Sequence, residues 1–212
     1  MAGLERAREN LLRYLSHEIA DKRVVEAMKH VPREAFVSQE QYQAAYDDRP
    51  LGIGFGQTIS QPFIVALMVQ ALELKGDEKV LELGTGSGYE AAILAELAQK
   101  VVTVECIPEL AESAKQVLDK LSYSNIEVHV AGKTLGWPEE APYDAIIVSA
   151  GAPTVPQVLL EQMSWNGRLV IPVGSRWQQD LLKVIKLRKG NKIENLGGCY
   201  FVPLIGEGAW EN

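Results

Sequence analysis

Apolar positions along the chain follow two rhythms. Near the N-terminus Val24, Ala27, Met28 and Val31 recur at i, i+3, i+4 and i+7, one face of a helix, and Pro32 follows as a stop. Such a face needs an apolar surface to cover. After a polar and aromatic stretch from Ser38 to Pro50 comes the run IGFGQTISQP, whose Gly52, Gly54 and Gly56 suit a turn and not a strand interior. Ile64, Leu67, Met68, Ala71 and Leu72 mark another helix face beyond Pro62, with Ser60 or Gln61 placed to cap it.

From KVLEL at 79–83 onward, short apolar runs alternate with helical stripes. VVTVE, IEVHV, AIIV and RLVIP predict further strands, and YEAAILAELA, the stripe Leu110, Ala114, Val117, Leu118 and Leu121, and the segment from Val155 to Met163 predict helices. Strands separated by helices of this length imply a parallel sheet with right-handed crossovers. The tail reads differently. LLKVIKL, the turn-like KGNK and CYFVPL predict two adjacent strands, hence an antiparallel element at one edge. The fold class is therefore α/β, with N-terminal helices. We expect one domain over 1–212, made of an N-terminal helical extension and loop over 1–61 and an α/β core over 62–212.

Composition narrows the partners. With 212 residues the chain can bury roughly 70% of its unfolded surface and needs no staples. Cys106 and Cys199 lack CxxC spacing, and the N-terminus offers neither a signal-peptide core nor a membrane span, so a cytoplasmic protein is expected. A net charge of -7 argues against nucleic acid as a partner, and nothing points to a membrane. His17, His30 and His129 are scattered, so no metal is expected.

The candidate chemistry begins at Gly84-Thr85-Gly86-Ser87-Gly88, directly after a strand and before a helix. Glycines there permit a tight turn and close approach of a ligand. Glu105 ends the next strand, where a carboxylate can accept protons from both ribose hydroxyls, so a nucleoside-containing ligand is indicated. A dinucleotide site spaces its glycines as GxGxxG; here the third arrives one position early, which favours a ligand without phosphates. S-adenosylmethionine, cationic and free of phosphate, fits, with adenine expected at Ala131 to Thr134. Glu82, inside its strand, is expected to bind nearby backbone N–H groups. Trp137, Tyr143 and Trp210 read as packing aromatics before a peptide surface, and Cys106 as an ordinary thiol beside the donor.

VLELGTGSGYEAA, ECIPELAESA, GQTISQPF, GWPEEAPYDAIIVSAGAP, GRLVIPVGS and FVPLIGE, in this order, resemble the protein-L-isoaspartate O-methyltransferase family from about Val24 to Trp210. The resemblance implies a Rossmann-like class I methyltransferase fold with a modified edge. It also implies S-adenosylmethionine as donor and repair of isoaspartyl and D-aspartyl residues in damaged proteins and peptides. It places the active-site serine at Ser60, with Thr58, Ile59 and Gln61 as its wall. Gly84, Thr85, Gly86, Ser87, Gly88, Glu105, Cys106, Gly132 and Lys133 fall on the donor. Ser149, Ala150, Val202, Leu204 and Ile205 fall around the substrate. One departure stands out: where the family reads Gly-Asp-Gly, this chain reads Ala131-Gly132-Lys133, without the carboxylate for the adenine amino group. A same-fold methyltransferase for another carboxylate or a small molecule, and a binding module without turnover, remain the alternatives.

Overall fold

The computed structural model describes residues 2–210. Two helices, α1 (Ala2–Glu18) and α2 (Lys22–His30), precede a short hairpin, β1 (Leu51–Gly54) and β2 (Gln57–Ile59), and helix α3 (Pro62–Ala71). The alternating part follows: β3 (Lys79–Leu83), α4 (Tyr89–Ala95), β4 (Lys100–Glu105), α5 (Pro108–Lys120), β5 (Ile126–Val130), β6 (Tyr143–Val148), α6 (Gln157–Glu161) and β7 (Met163–Gly174). Strands β8 (Gln179–Lys186) and β9 (Asn191–Cys199) close the order.

The main sheet runs β5-β4-β3-β6-β7-β8-β9. Strands β3 to β7 are parallel, and β8 and β9 add by antiparallel pairing, as the tail pattern predicts. The chain leaves β3 toward one side of the sheet and returns on the other at β6. That reversal opens a crevice at the carboxyl ends of β3, β4 and β6, where ligands of such sheets bind.

Side chains alternate across the sheet. Val80, Val101, Ala145, Ile147 and Val170 point into the core that receives α1 to α4, and the apolar face of α2 lands there through Val24, Val25, Ala27 and Met28. Leu81, Leu83, Val102, Val104, Ile146, Val148, Leu169 and Ile171 point the other way, against Leu159 of α6 and the segments at Leu135 and Leu204.

Three elements differ from the pattern. The glycine run is a hairpin and not merely a turn: Leu51 pairs with Ile59 and Gly52 with Thr58, the register slips between Gly52 and Gly54, and Gly54, Phe55 and Gly56 take positive φ at the tip. The last helix spans only Gln157–Glu161, because Met163 already belongs to β7. The partner of β8 is Asn191–Cys199 and not CYFVPL. Edge position explains the miss, since most of β9 faces solvent and its sequence stays polar. The FVPL segment instead crosses to Gly151, where Val202 and Leu204 exchange backbone bonds with it at 2.8 Å each.

Candidate active site

The crevice is lined by the glycine loop, the ends of β3 and β4, residues 131–136, Ser149 and Ala150, Val202 to Gly206, and Gln57 to Ser60 of the hairpin. With its open mouth it contains about 1100 Å³ of space.

Gly84 and Gly86 sit at φ +94° and +52°, a region that penalises any Cβ, and both line the cleft with Thr85 and Ser87. Gly88 differs from expectation. It lies outside the lining, and a Cβ there would meet Ala114 at 3.2 Å and Leu118 at 3.3 Å, so it serves the close packing of α5. Thr85 and Thr103 share a hydroxyl bond of 2.6 Å beneath the loop.

Glu105 is buried, and its oxygens accept Gly86 N at 2.8 Å and Ile107 N at 3.0 Å. The oxygen bonded to Gly86 N keeps a lone pair for a ribose hydroxyl, while the other also takes the Cys106 thiol at 3.4 Å, a weak bond that a hydroxyl can displace. The carboxylate therefore braces the loop that it shares the ligand with. Cys106 lines the same wall, and burial, reinforced by Glu105, pushes its thiol up to about 11, which fits the inert reading. Ala131, Gly132, Lys133 and Thr134 complete the outer wall where adenine is expected.

Ser60 stands on the hairpin side with Thr58 and Ile59. It does not cap α3. The cap position is Gln61, without a side-chain cap bond. Asp48 does the capping from a distance, accepting Phe63 N and Gln61 Nε2 at 2.9 Å each. Gln61 is thus turned to Asp48 and is absent from the lining, against the expectation that it walls the substrate. The Ser60 carbonyl is held by Arg33, a fully buried guanidinium that also reaches Ala45 O and lies 4.8 Å from the Tyr89 ring centre. Sequence reading singled out neither Asp48 nor Arg33.

Ser149 and Ala150 meet Val202, Leu204 and Ile205 across the cleft, joined by the bridge of Gly151 to Pro203, and Trp210 Nε1 donates to Gly151 O at 3.0 Å. Trp137 stacks on His129 at 4.0 Å and Tyr143 is fully buried, so both pack as expected. Glu127, His129 and Glu140 come together outside the cleft, a grouping that scattered histidines did not foretell. The cation between those carboxylates is Lys100, at 2.8 and 2.6 Å.

Glu82 accepts no backbone N–H bond, against expectation; both its oxygens are buried without a partner. Glu90, buried in α4, lines the cleft and accepts the Ser149 hydroxyl. Two buried acids beside the glycine loop repel phosphates and suit a cation. A crevice at the sheet reversal, a glycine loop, a strand-end carboxylate and acidic walls together define a methyltransferase with S-adenosylmethionine as donor.

Comparison with known proteins narrows the class. The model of the protein-L-isoaspartate(D-aspartate) O-methyltransferase family matches residues 6–209, farther toward the N-terminus than the motifs alone reach. The chain belongs to that family. It is 54% identical to protein-L-isoaspartate O-methyltransferase 1 of Syntrophobacter fumaroxidans, covering 100% of both chains. It is also 54% identical to the Syntrophus aciditrophicus enzyme, over 91% of this chain and 89% of that one. Among solved structures, a protein-L-isoaspartate O-methyltransferase superposes with a TM-score of 0.84 at 28% identity, over 95% of this chain and 67% of that one. A Plasmodium falciparum structure, described as a beta-aspartate methyltransferase in complex with S-adenosyl-L-homocysteine, gives a TM-score of 0.76 at 25% identity, over 92% and 96% of the two chains.

Proposed function

We propose that this chain transfers the methyl group of S-adenosylmethionine to the free carboxylate of L-isoaspartyl and D-aspartyl residues in damaged proteins and peptides, with Ser60 placing that carboxylate. The single observation behind the role of Ser60 is its place in the lining of the cleft that also holds the glycine loop and Glu105, with the cap of α3 supplied by Asp48 and not by Ser60. When bound, the donor supplies a methyl group made electrophilic by its sulfonium.

The substrate needs no strong base, because a carboxyl of pKa about 4 is already ionised at neutral pH. Holding the reactants in line contributes roughly 7 to 11 kcal/mol. Arg33 fixes the Ser60 backbone while the Ser60 hydroxyl orients the incoming carboxylate. Val202, Leu204 and Ile205 supply an apolar wall that limits water. Gly84, Gly86, Glu105, Gly132 and Lys133 hold the nucleoside side, and Ser149 and Ala150 border the substrate. Both cysteines are unpaired, which supports a cytoplasmic place for the reaction.

Paired peptides that differ only in aspartate against isoaspartate, incubated with labelled donor, test the reaction. Label confined to the isoaspartyl peptide supports it, and equal labelling overturns it. Ser60→Ala should depress turnover with donor affinity near normal; wild-type turnover would remove Ser60 from the site.

A further inference from the structure

Two carboxyl groups beneath the cleft have no part in the reaction as described. Glu82 follows the alternation of β3 onto the face that meets α4, where Val80 precedes it, and there it is fully buried. Glu90, in the first turn of α4, is 7% exposed and reaches the cleft. One Glu90 oxygen accepts the Ser149 hydroxyl; the other, and both oxygens of Glu82, are buried without a hydrogen-bond partner. The Thr103 hydroxyl shares a 2.6 Å bond with Thr85 in which either can donate; where Thr85 donates, the Thr103 proton is the one polar hydrogen turned toward Glu82, and burial still outweighs it in raising that acid.

The charged surroundings are one-sided. Glu105 faces the pair from β4, and Tyr89 is the neighbour of Glu90 in α4, with Arg33 across its ring. Cys106 and Lys133 line the same cleft. Helix α2 and strand β5 also pack on α4, but none of their charged side chains is buried. Among the described residues, no cation is bonded to either acid. Two desolvated neighbours of like charge cannot both ionise, so at least one holds a proton in the free protein.

We propose that Glu90, braced by Ser149, is the counter-charge for the α-ammonium group of the donor, and that donor binding expels the proton held by the Glu82–Glu90 pair. This rests on the donor assignment above. Gly84, Glu90, Glu105 and Ser149 line one cleft, with Ser149 packed against Gly84, so a donor whose ribose engaged Glu105 would have its amino-acid end within reach of Glu90 and Ser149. Only its ammonium matches them: it brings three N–H donors and a positive charge, whereas a sulfonium has no N–H and a carboxylate is repelled. The proton leaves to solvent, and the ammonium takes its place as neutraliser. Burial raises both acids, Glu82 well above the usual range and Glu90 to about 7, so the exchange falls near neutral pH.

Calorimetry with S-adenosylhomocysteine, and with methylthioadenosine, which lacks the ammonium, tests this from pH 5.5 to 8.5. For the homocysteine ligand, affinity should rise about tenfold per pH unit up to roughly pH 7 and then level, with proton release visible as a heat that depends on the buffer. Glu90→Gln keeps the shape of the protonated form. It should flatten the profile and weaken binding at pH 8 about tenfold, while methylthioadenosine binding stays level in both proteins. A flat profile in the natural protein, or an equal pH response with methylthioadenosine, overturns the proposal and leaves the donor assignment standing. Absence of any binding to the homocysteine ligand overturns both.

Discussion

At the scale of single residues, Glu105 has two duties that the sequence showed as one. Its strand-end position announced a ribose acceptor, but its bonds to Gly86 N and Ile107 N also make it the brace of the glycine loop. Glu105→Gln should therefore weaken S-adenosylhomocysteine binding by roughly 1.5 to 3 kcal/mol and also lower thermal stability. Calorimetry that shows unchanged affinity would leave Glu105 only the bracing role. Gly132 allows the opposite experiment. A Cβ there meets nothing within 4 Å, and its φ is not positive, so an aspartate fits without strain. Gly132→Asp should tighten donor binding several-fold, in line with about 0.5 to 1.5 kcal/mol for one partly exposed bond, without changing isoaspartyl selectivity. No gain in a titration would mean that the adenine is held another way. The residues missed, Glu90, Arg33 and Asp48, share a cause. Each is charged and reads as a surface position in its own segment; its burial or its partner arises only when segments distant in sequence meet.

At the scale of elements, strong periodicity was legible and weak periodicity was not. The strands from β3 to β7, and helices α2 to α5, stood out because each is apolar on at least one face. Elements that are mostly exposed or rich in glycine failed, whereas β5, also at a sheet edge, kept its alternation and was legible. β9 is mostly exposed, and the short β1–β2 hairpin is rich in glycine, so neither carries the alternation that marks a buried strand. The junction from hairpin to α3 is where an element boundary becomes chemistry. Asp48→Ala removes the cap of α3 and the tether of Gln61 in one change. Stability should fall by about 1 kcal/mol in urea titrations, and turnover should fall with donor affinity near normal, because the segment that presents Ser60 loses its anchor. A variant that loses stability but keeps full turnover would separate the cap from the site.

At the scale of the whole molecule, the two buried acids make the free protein sensitive to pH. Burial raises Glu90 to about 7 from its ordinary 4.5, and raises Glu82 as well, so the stability associated with their protonated forms is complete below about pH 4.5 and is lost as pH rises through 7. Glu90→Gln should accordingly melt a few degrees higher than the natural protein at pH 8, with the difference gone at pH 5. A lower melting point at pH 8 would show that the ionised form of Glu90 already has a stabilising partner. The sheet edge has a consequence of another kind. An enzyme that acts on isoaspartyl residues within other protein chains meets extended segments, and an extended segment can pair with an open sheet edge. Along β9, Lys192 and Glu194 flank the exposed Ile193, the register slips opposite Asp180 to Leu182, and Gly197 turns to φ +118°. Such an edge offers a stray strand a charged and broken template. With β9 so broken, the seven-stranded sheet is poorly suited to take up an eighth strand from a chain that comes to the cleft.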